Sequence, residues 1–159
     1  MGYRPQREKE AKAVCNDADR QRKLLIVDND DRVSESLQKL FRTEGFDTRS
    51  TWSGREALAL MRSQSFDVLL VGNYLPDLYY GDFLQHARRQ SAQLHIIVMK
   101  AGKSPSADLR RHRSLGVTVV DRTDPAQIRQ AFALCCSRQL GLKAPRQPSD
   151  TVTNSRVRR

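Results

Sequence analysis

Four short apolar runs, KLLIV at 23–27, DVLLV at 67–71, HIIVM at 95–99 and VTVV at 117–120, constrain this chain more than any other feature. A strand with one face in water alternates polar and apolar residues, because successive side chains point to opposite faces. A continuous apolar run belongs to a strand covered on both faces, the habit of parallel sheets. A fifth run, FDTRST at 46–51, alternates instead and reads as an edge strand. Between the runs the apolar spacing changes to that of helices, over about 31–44, 54–63, 81–90, 105–114 and 125–139. The first helix sets Val33, Leu37, Leu40 and Phe41 on one face and stops at Gly45. Ser53 is placed to cap the second, and the fourth and fifth open with Ser104-Pro105 and Asp124-Pro125, a cap followed by proline in the first turn. The body of the fourth, ADLRRHRS, is poor in apolar residues. Five such units predict a doubly wound α/β domain, a five-stranded parallel sheet in a three-layer sandwich with right-handed crossovers. In such domains ligands and chemistry sit at the carboxyl ends of the strands.

Charge and composition set the organisation around that domain. The 159 residues carry 28 Lys and Arg against 18 Asp and Glu. Residues 141–159 hold five basic residues and one acid, together with Pro145 and Pro148, and read as a basic disordered tail. Residues 1–22 read as a flexible or partly helical extension, leaving 23–140 as the domain. The chain has no apolar run near the roughly 18 residues that a membrane span needs, and MGYRPQREKEAK lacks the apolar core of a signal peptide. A cytoplasmic location is expected, with no membrane partner. Cys15, Cys135 and Cys136 make no disulfide framework, and His86, His95 and His112 are too scattered for metal-ligand spacing.

Four segments in order carry a resemblance. LLIVDNDDRVSESLQKLFRTEGF, SGREALALMRSQSFDVLLVGNYLP, HIIVMKAG and LGVTVVDRTDPAQIRQAF together resemble the receiver domain of bacterial response regulators over residues 23–139. The resemblance implies a flavodoxin-like strand order. It also implies a site that takes a phosphoryl group from a histidine kinase onto an aspartate, with a Mg²⁺, a lysine and a hydroxyl holding the phosphoryl oxygens. At every one of these positions but one the chain departs from the pattern. Four residues before Pro76, where the acceptor aspartate belongs, stands Gly72; a slip of one residue reaches Asn73, which is no nucleophile. The acidic pair after the first strand is Asp28-Asn29, the switch hydroxyl falls on Lys100, and the lysine falls on Asp121-Arg122. Asp28 keeps its charge. Asp30 and Asp31 read as a cap for the first helix. The resemblance therefore implies a degenerate pseudo-receiver, with no catalytic residue, no metal and no cofactor. Lys100 either pairs with Asp28 or Asp121 in the vacated corner, or runs out to water.

Receivers of this family signal through the face made by the fourth helix, fifth strand and fifth helix. Arg110, Arg111, Arg113 and Arg122 lie on or beside it, and guanidinium groups recognise carboxylate and phosphate bidentately. Tyr79 and Tyr80 in the loop after Pro76 offer aromatic anchors or fill the empty corner, whereas Trp52 reads as packing. The expected function is phosphorylation-independent interaction with another signalling protein: a kinase, a regulator, an assembly component, or a second copy bound through that face. The competing reading is a transcription-regulator fragment whose basic tail contacts nucleic acid, although 19 residues with two prolines cannot hold a helix-turn-helix. Nucleic acid ranks below protein as the partner. No G-x-S-x-G, phosphate-binding loop or dinucleotide fingerprint points to an enzyme.

Overall fold

All five runs form the sheet they predict. The structure, a computed structural model, describes residues 20–102 and 106–139, the latter without the side chains of 106–109 and 137–139. The expectations for residues 141–159 and, but for 20–22, for the N-terminal extension lie outside the described residues. In chain order the elements are β1 (Lys23–Val27), α1 (Asp31–Thr43), β2 (Asp47–Thr51), α2 (Gly54–Ser63), β3 (Val68–Gly72), α3 (Tyr80–Gln90), β4 (His95–Lys100), α4 (Ser106–Ser114), β5 (Thr118–Asp121) and α5 (Pro125–Gln139). The strands pair in parallel in the order β2-β1-β3-β4-β5. The alternating strand β2 is at one edge, as its pattern required. The order reverses between β1 and β3, which is where a sheet of this kind opens a crevice.

Each inner strand divides its side chains between two cores. Leu24, Ile26, Val68, Leu70, Ile97 and Met99 pack under α1 and α5 with Phe41 and Phe132. On the other face Leu25, Val27, Leu69, Val71, Ile96 and Val98 pack with Ala57, Phe83, Leu84 and Ala87 of α2 and α3. Most of these side chains are wholly buried, each contributing about 1.5–3 kcal/mol. Three helix starts follow the sequence, while the expected Ser104-Pro105 start of α4 lies outside the described residues. Asp30 accepts from the Arg32 and Val33 amides, Ser53 from the Glu56 amide, and Asp124 from the Ala126 and Gln127 amides. Gly45, just past α1, takes φ +89°, which suits glycine.

The fifth strand departs from expectation. Its run VTVV reads as covered on both faces, yet only Val120 is buried while Thr118 is exposed. β5 is an edge, and the polar α4 beside it has little apolar surface to lay on it. Cys135 is buried and Cys136 half-buried, and neither forms a disulfide among the described residues.

The α1/α5 core centres on three aromatic rings. Phe41 and Phe132 stack with centroids 3.8 Å apart, and Phe46 meets both edge-on at 5.9 and 5.6 Å. Phe132→Ala is expected to destabilise the domain by about 3–5 kcal/mol in urea unfolding, and Phe41→Ala similarly. Because the two rings share one contact, the double variant should lose measurably less than the sum.

Candidate functional site

The carboxyl ends of β1, β3, β4 and β5 bring Asp28, Gly72, Lys100 and Asp121 to one edge of the sheet, next to the reversal in strand order. Asp28 follows the last residue of β1, and its amide still donates to the Thr51 carbonyl, 3.1 Å away. That keeps the residue in line with the sheet and turns its side chain inward, where it is 1% exposed. Oδ1 accepts from the Asp30 amide at 2.8 Å and from Arg122 Nη2 at 2.8 Å. Oδ2 is buried without a hydrogen bond. It lies 2.7 Å from where a Cβ on Gly72 would stand, so the carboxylate fills the place of a side chain at residue 72. Gly72 lacks a positive φ, so its requirement is one of space rather than backbone conformation.

Arg122 is a correction to the sequence reading. Expected on the outer face, it comes one residue past β5, is held by its amide on the Lys100 carbonyl at 2.8 Å, and sends its guanidinium to Asp28. Its side chain is only 20% exposed, and Nη2 also lies 3.8 Å from Asp30 Oδ2. The pairing proposed for Lys100 is likewise replaced. Asp28 takes Arg122, while Asp121 turns to its own loop and accepts from the Thr123 hydroxyl at 2.7 Å and amide at 2.8 Å. Those two bonds hold the Asp121 carboxyl below its ordinary pKa. Lys100 does not run out to water; it is 6% exposed, with Nζ 5.8 Å from the centroid of the Tyr80 ring. Asn29 is exposed.

The loop from β3 to α3 is tied down by Asp77, which the sequence did not single out. Its carboxylate accepts from the Ser53 hydroxyl (2.7 Å) and from the Gly54 and Arg55 amides (2.9 and 3.0 Å), the free donors at the start of α2. Desolvation pushes its pKa up, but the hydrogen bonds from Arg55, Ser53, Gly54 and its own amide outweigh that and leave it lowered. Past this anchor the two tyrosines separate. Tyr79 is 56% exposed, as an outer anchor would be, while Tyr80 takes the other course open to the pair and turns inward, buried with its hydroxyl 3.3 Å from His112 Nε2. Among the described side chains of α4, His112 is the buried one at 2% exposed, a role its polar neighbours hid. Trp52, expected to pack, is 57% exposed, and Tyr74 is exposed as well. Arg110 and Arg113 are exposed and Arg111 is half-buried.

Residues 24–131 match the response regulator receiver domain family. The chain belongs to that family. The response regulator SaeR of Staphylococcus aureus (strain USA300) is 30% identical over 78 residues, which is 49% of this chain and 34% of that protein. The chain thus spans about a third of the length of the curated relatives it matches. Among solved structures, chemotaxis response regulator CheY4 of Vibrio cholerae is similar with a TM-score of 0.65 and 21% identity, covering 73% of this chain and 99% of that one. A CheY-like receiver domain protein from Methanospirillum hungatei JF-1 gives 0.71 and 18%, covering 77% and 98%. These likenesses carry the fold, a CheY-like flavodoxin fold. Among the described residues no helix is long and apolar enough to cross a membrane.

The magnesium ion implied by the family does not fit the donors in this corner. Among the described residues no three of His, Cys, Asp and Glu come together to hold a metal. Asp28 is the one carboxylate buried here, Asp30 is engaged as the α1 cap, and a guanidinium already stands on Asp28. Mg²⁺ takes charged oxygen ligands in a tight octahedron, and a fixed cation 2.8 Å from the best of them opposes its entry.

Arg122→Met is expected to leave Asp28 uncompensated and lower stability by about 3–5 kcal/mol in chemical denaturation, with partial recovery when Asp28→Asn is added. Gly72→Ala should cost about 1–3 kcal/mol, and almost nothing in an Asp28→Ala background, where the crowding oxygen is gone. Asp77 gives a pH signature. Because its folded pKa is below its unfolded value of about 3.9, its contribution is full above that pH and is lost as pH falls through the lowered folded value. Urea midpoints of the wild type and Asp77→Asn should therefore differ near pH 6 and draw together as pH falls below the ordinary carboxylate range.

Proposed function

We propose that this receiver domain signals without phosphoryl transfer, as a phosphorylation-independent module that binds another signalling protein. The observation that carries the reading is the Arg122–Asp28 pair, with the Asp28 carboxylate lying where a side chain on Gly72 would be. Phosphoryl transfer to a carboxylate needs the nucleophile, a divalent cation on the oxygens, and donors for the charge that develops. In this corner the nucleophile position is glycine, the neighbouring Asn73 is a neutral amide, and Lys100 stands in place of the hydroxyl. The cation is intramolecular and permanent. A switch whose two states differ by a bound phosphoryl group then has one state.

A domain held in one state acts through its surface. Of the face proposed from the sequence, Tyr79, Arg110, Arg111 and Arg113 remain available, whereas Tyr80 and Arg122 are engaged internally. The half-covered edge strand β5 and the exposed Leu134 of α5 extend that surface and suit a kinase, regulator, assembly component or second copy.

Amide NMR spectra in the presence of Mg²⁺ and beryllofluoride, which mimics the phosphoryl group, test the reading. Resonances of Asp28, Gly72, Asn73, Lys100 and Arg122 are expected to stay in place. A saturable shift confined to those residues would restore the phosphorylated switch and remove the proposal.

A further inference from the structure

We propose that the groove between α3 and α4 is the docking site for a carboxylate-rich segment of a partner protein. This specifies the partner for the protein-binding reading above and rests on it. The groove has a volume of about 520 Å³ and is lined by Arg88, Arg89, Arg110 and Arg111, with Leu115 among them. Its charge is local. Residues 88–113 contain seven Lys or Arg and one acid, Asp108, while residues 23–87 contain seven Lys or Arg and ten Asp or Glu.

The four arginines do different work. Arg88 is structural, donating to the carbonyls of Leu115 (2.9 Å), Ala92 (3.0 Å), Leu94 (2.7 Å) and Gly116 (3.3 Å), and so fixes the end of α4 against the end of α3. Arg111 lies over the Tyr79 ring at 5.8 Å and donates to its hydroxyl at 3.5 Å. Gly81 permits this approach, since a Cβ there would collide with Arg111 Nη1 and stand 2.7 Å from Tyr79 Cε1. Arg89 and Arg110 are exposed, and among the described residues none gives them, or Arg111, a carboxylate. The dipole of a helix end accounts for one basic residue in each last turn, worth about 0.3–1 kcal/mol. It does not account for guanidinium groups from two helices converging on one groove whose walls are already fixed.

Three available guanidinium groups around an inter-helical groove with an apolar residue in its wall match a short acidic helix or strand carrying carboxylates and one apolar anchor. A nucleic-acid duplex fits less well. Its affinity comes from neutralising phosphates along a track, typically about six to ten, and this charge is gathered in one place.

Fluorescence anisotropy of the full chain with a labelled, glutamate-rich peptide of about a dozen residues bearing one leucine tests the proposal. The peptide should bind with micromolar to sub-millimolar affinity at low salt, and Arg89→Glu/Arg110→Glu should weaken it at least about tenfold, the scale of two lost charge contacts. Arg49→Glu/Arg62→Glu, an equal charge change on exposed residues elsewhere, should weaken it far less. Circular dichroism melting should be unaltered in both variants. No binding at 1 mM peptide, an equal loss in the two double variants, or displacement of the peptide by a 20-base-pair duplex at lower concentration would each overturn the proposal, the last in favour of nucleic acid. None of these results depends on the beryllofluoride response, so this proposal and the loss of phosphoryl switching fail separately.

Discussion

A carboxylate with a fully buried side chain, Asp28, is the constraint around which the corner of this domain is arranged. Removing such a charge from water costs several kcal/mol even after relaxation, and the fold keeps it only because the Arg122 guanidinium and the Asp30 amide both stand 2.8 Å from Oδ1. That pairing crosses the sheet from the end of β5 to the end of β1. It also accounts for the neighbours. With the Arg122 guanidinium on Oδ1, Oδ2 occupies the space that a side chain at residue 72 would need, 2.7 Å from the position of its Cβ. Glycine at 72 and arginine at 122 therefore complement each other: one makes room for the carboxylate, the other neutralises it.

The fold was legible because its signals are local. Doubly covered strands, an alternating edge strand and side-chain caps at Asp30, Ser53 and Asp124 can each be recognised from a few adjacent residues, and those elements stand where the pattern put them. β5 was misjudged since coverage belongs to the neighbour: VTVV is apolar enough for an inner strand, but nothing in it reveals that it ends the sheet beside a polar helix. The corner was half legible. The positions of Gly72 and Asp28 followed from the family resemblance, whose pattern is counted from Pro76 and from the end of β1. Arg122 did not, because a long side chain one residue past a strand can turn to solvent or reach back across the sheet, and its target is 94 positions away in the chain. Tyr79 and Tyr80 show the same limit over a single step. They are chemically identical neighbours, and only the start of α3 sends the second inward and leaves the first at the cap position, exposed.

The attachment of α4 links this corner to the surface. Its described contacts with the rest of the domain are polar or aromatic: His112 against Tyr80, Arg111 against Tyr79, and the following turn held by Arg88. Tyr80 in turn lies under Lys100, whose carbonyl accepts from the Arg122 amide. A chain of contacts thus runs from the buried ion pair through the end of β4 to the inner face of α4, while α4 turns arginines outward. In a receiver that switches, such a path would carry a change from site to surface. Here the Arg122–Asp28 pair stands at the site end of the path, and on the reading proposed above the path serves to hold α4 in place. A helix poor in apolar residues and anchored this way can turn Arg110 and Arg113 outward, because His112, Arg111 and Arg88 hold its described end against the domain. Its sparse apolar composition, which looks like a weakness in a core helix, leaves the surface of α4 free to be shaped by recognition.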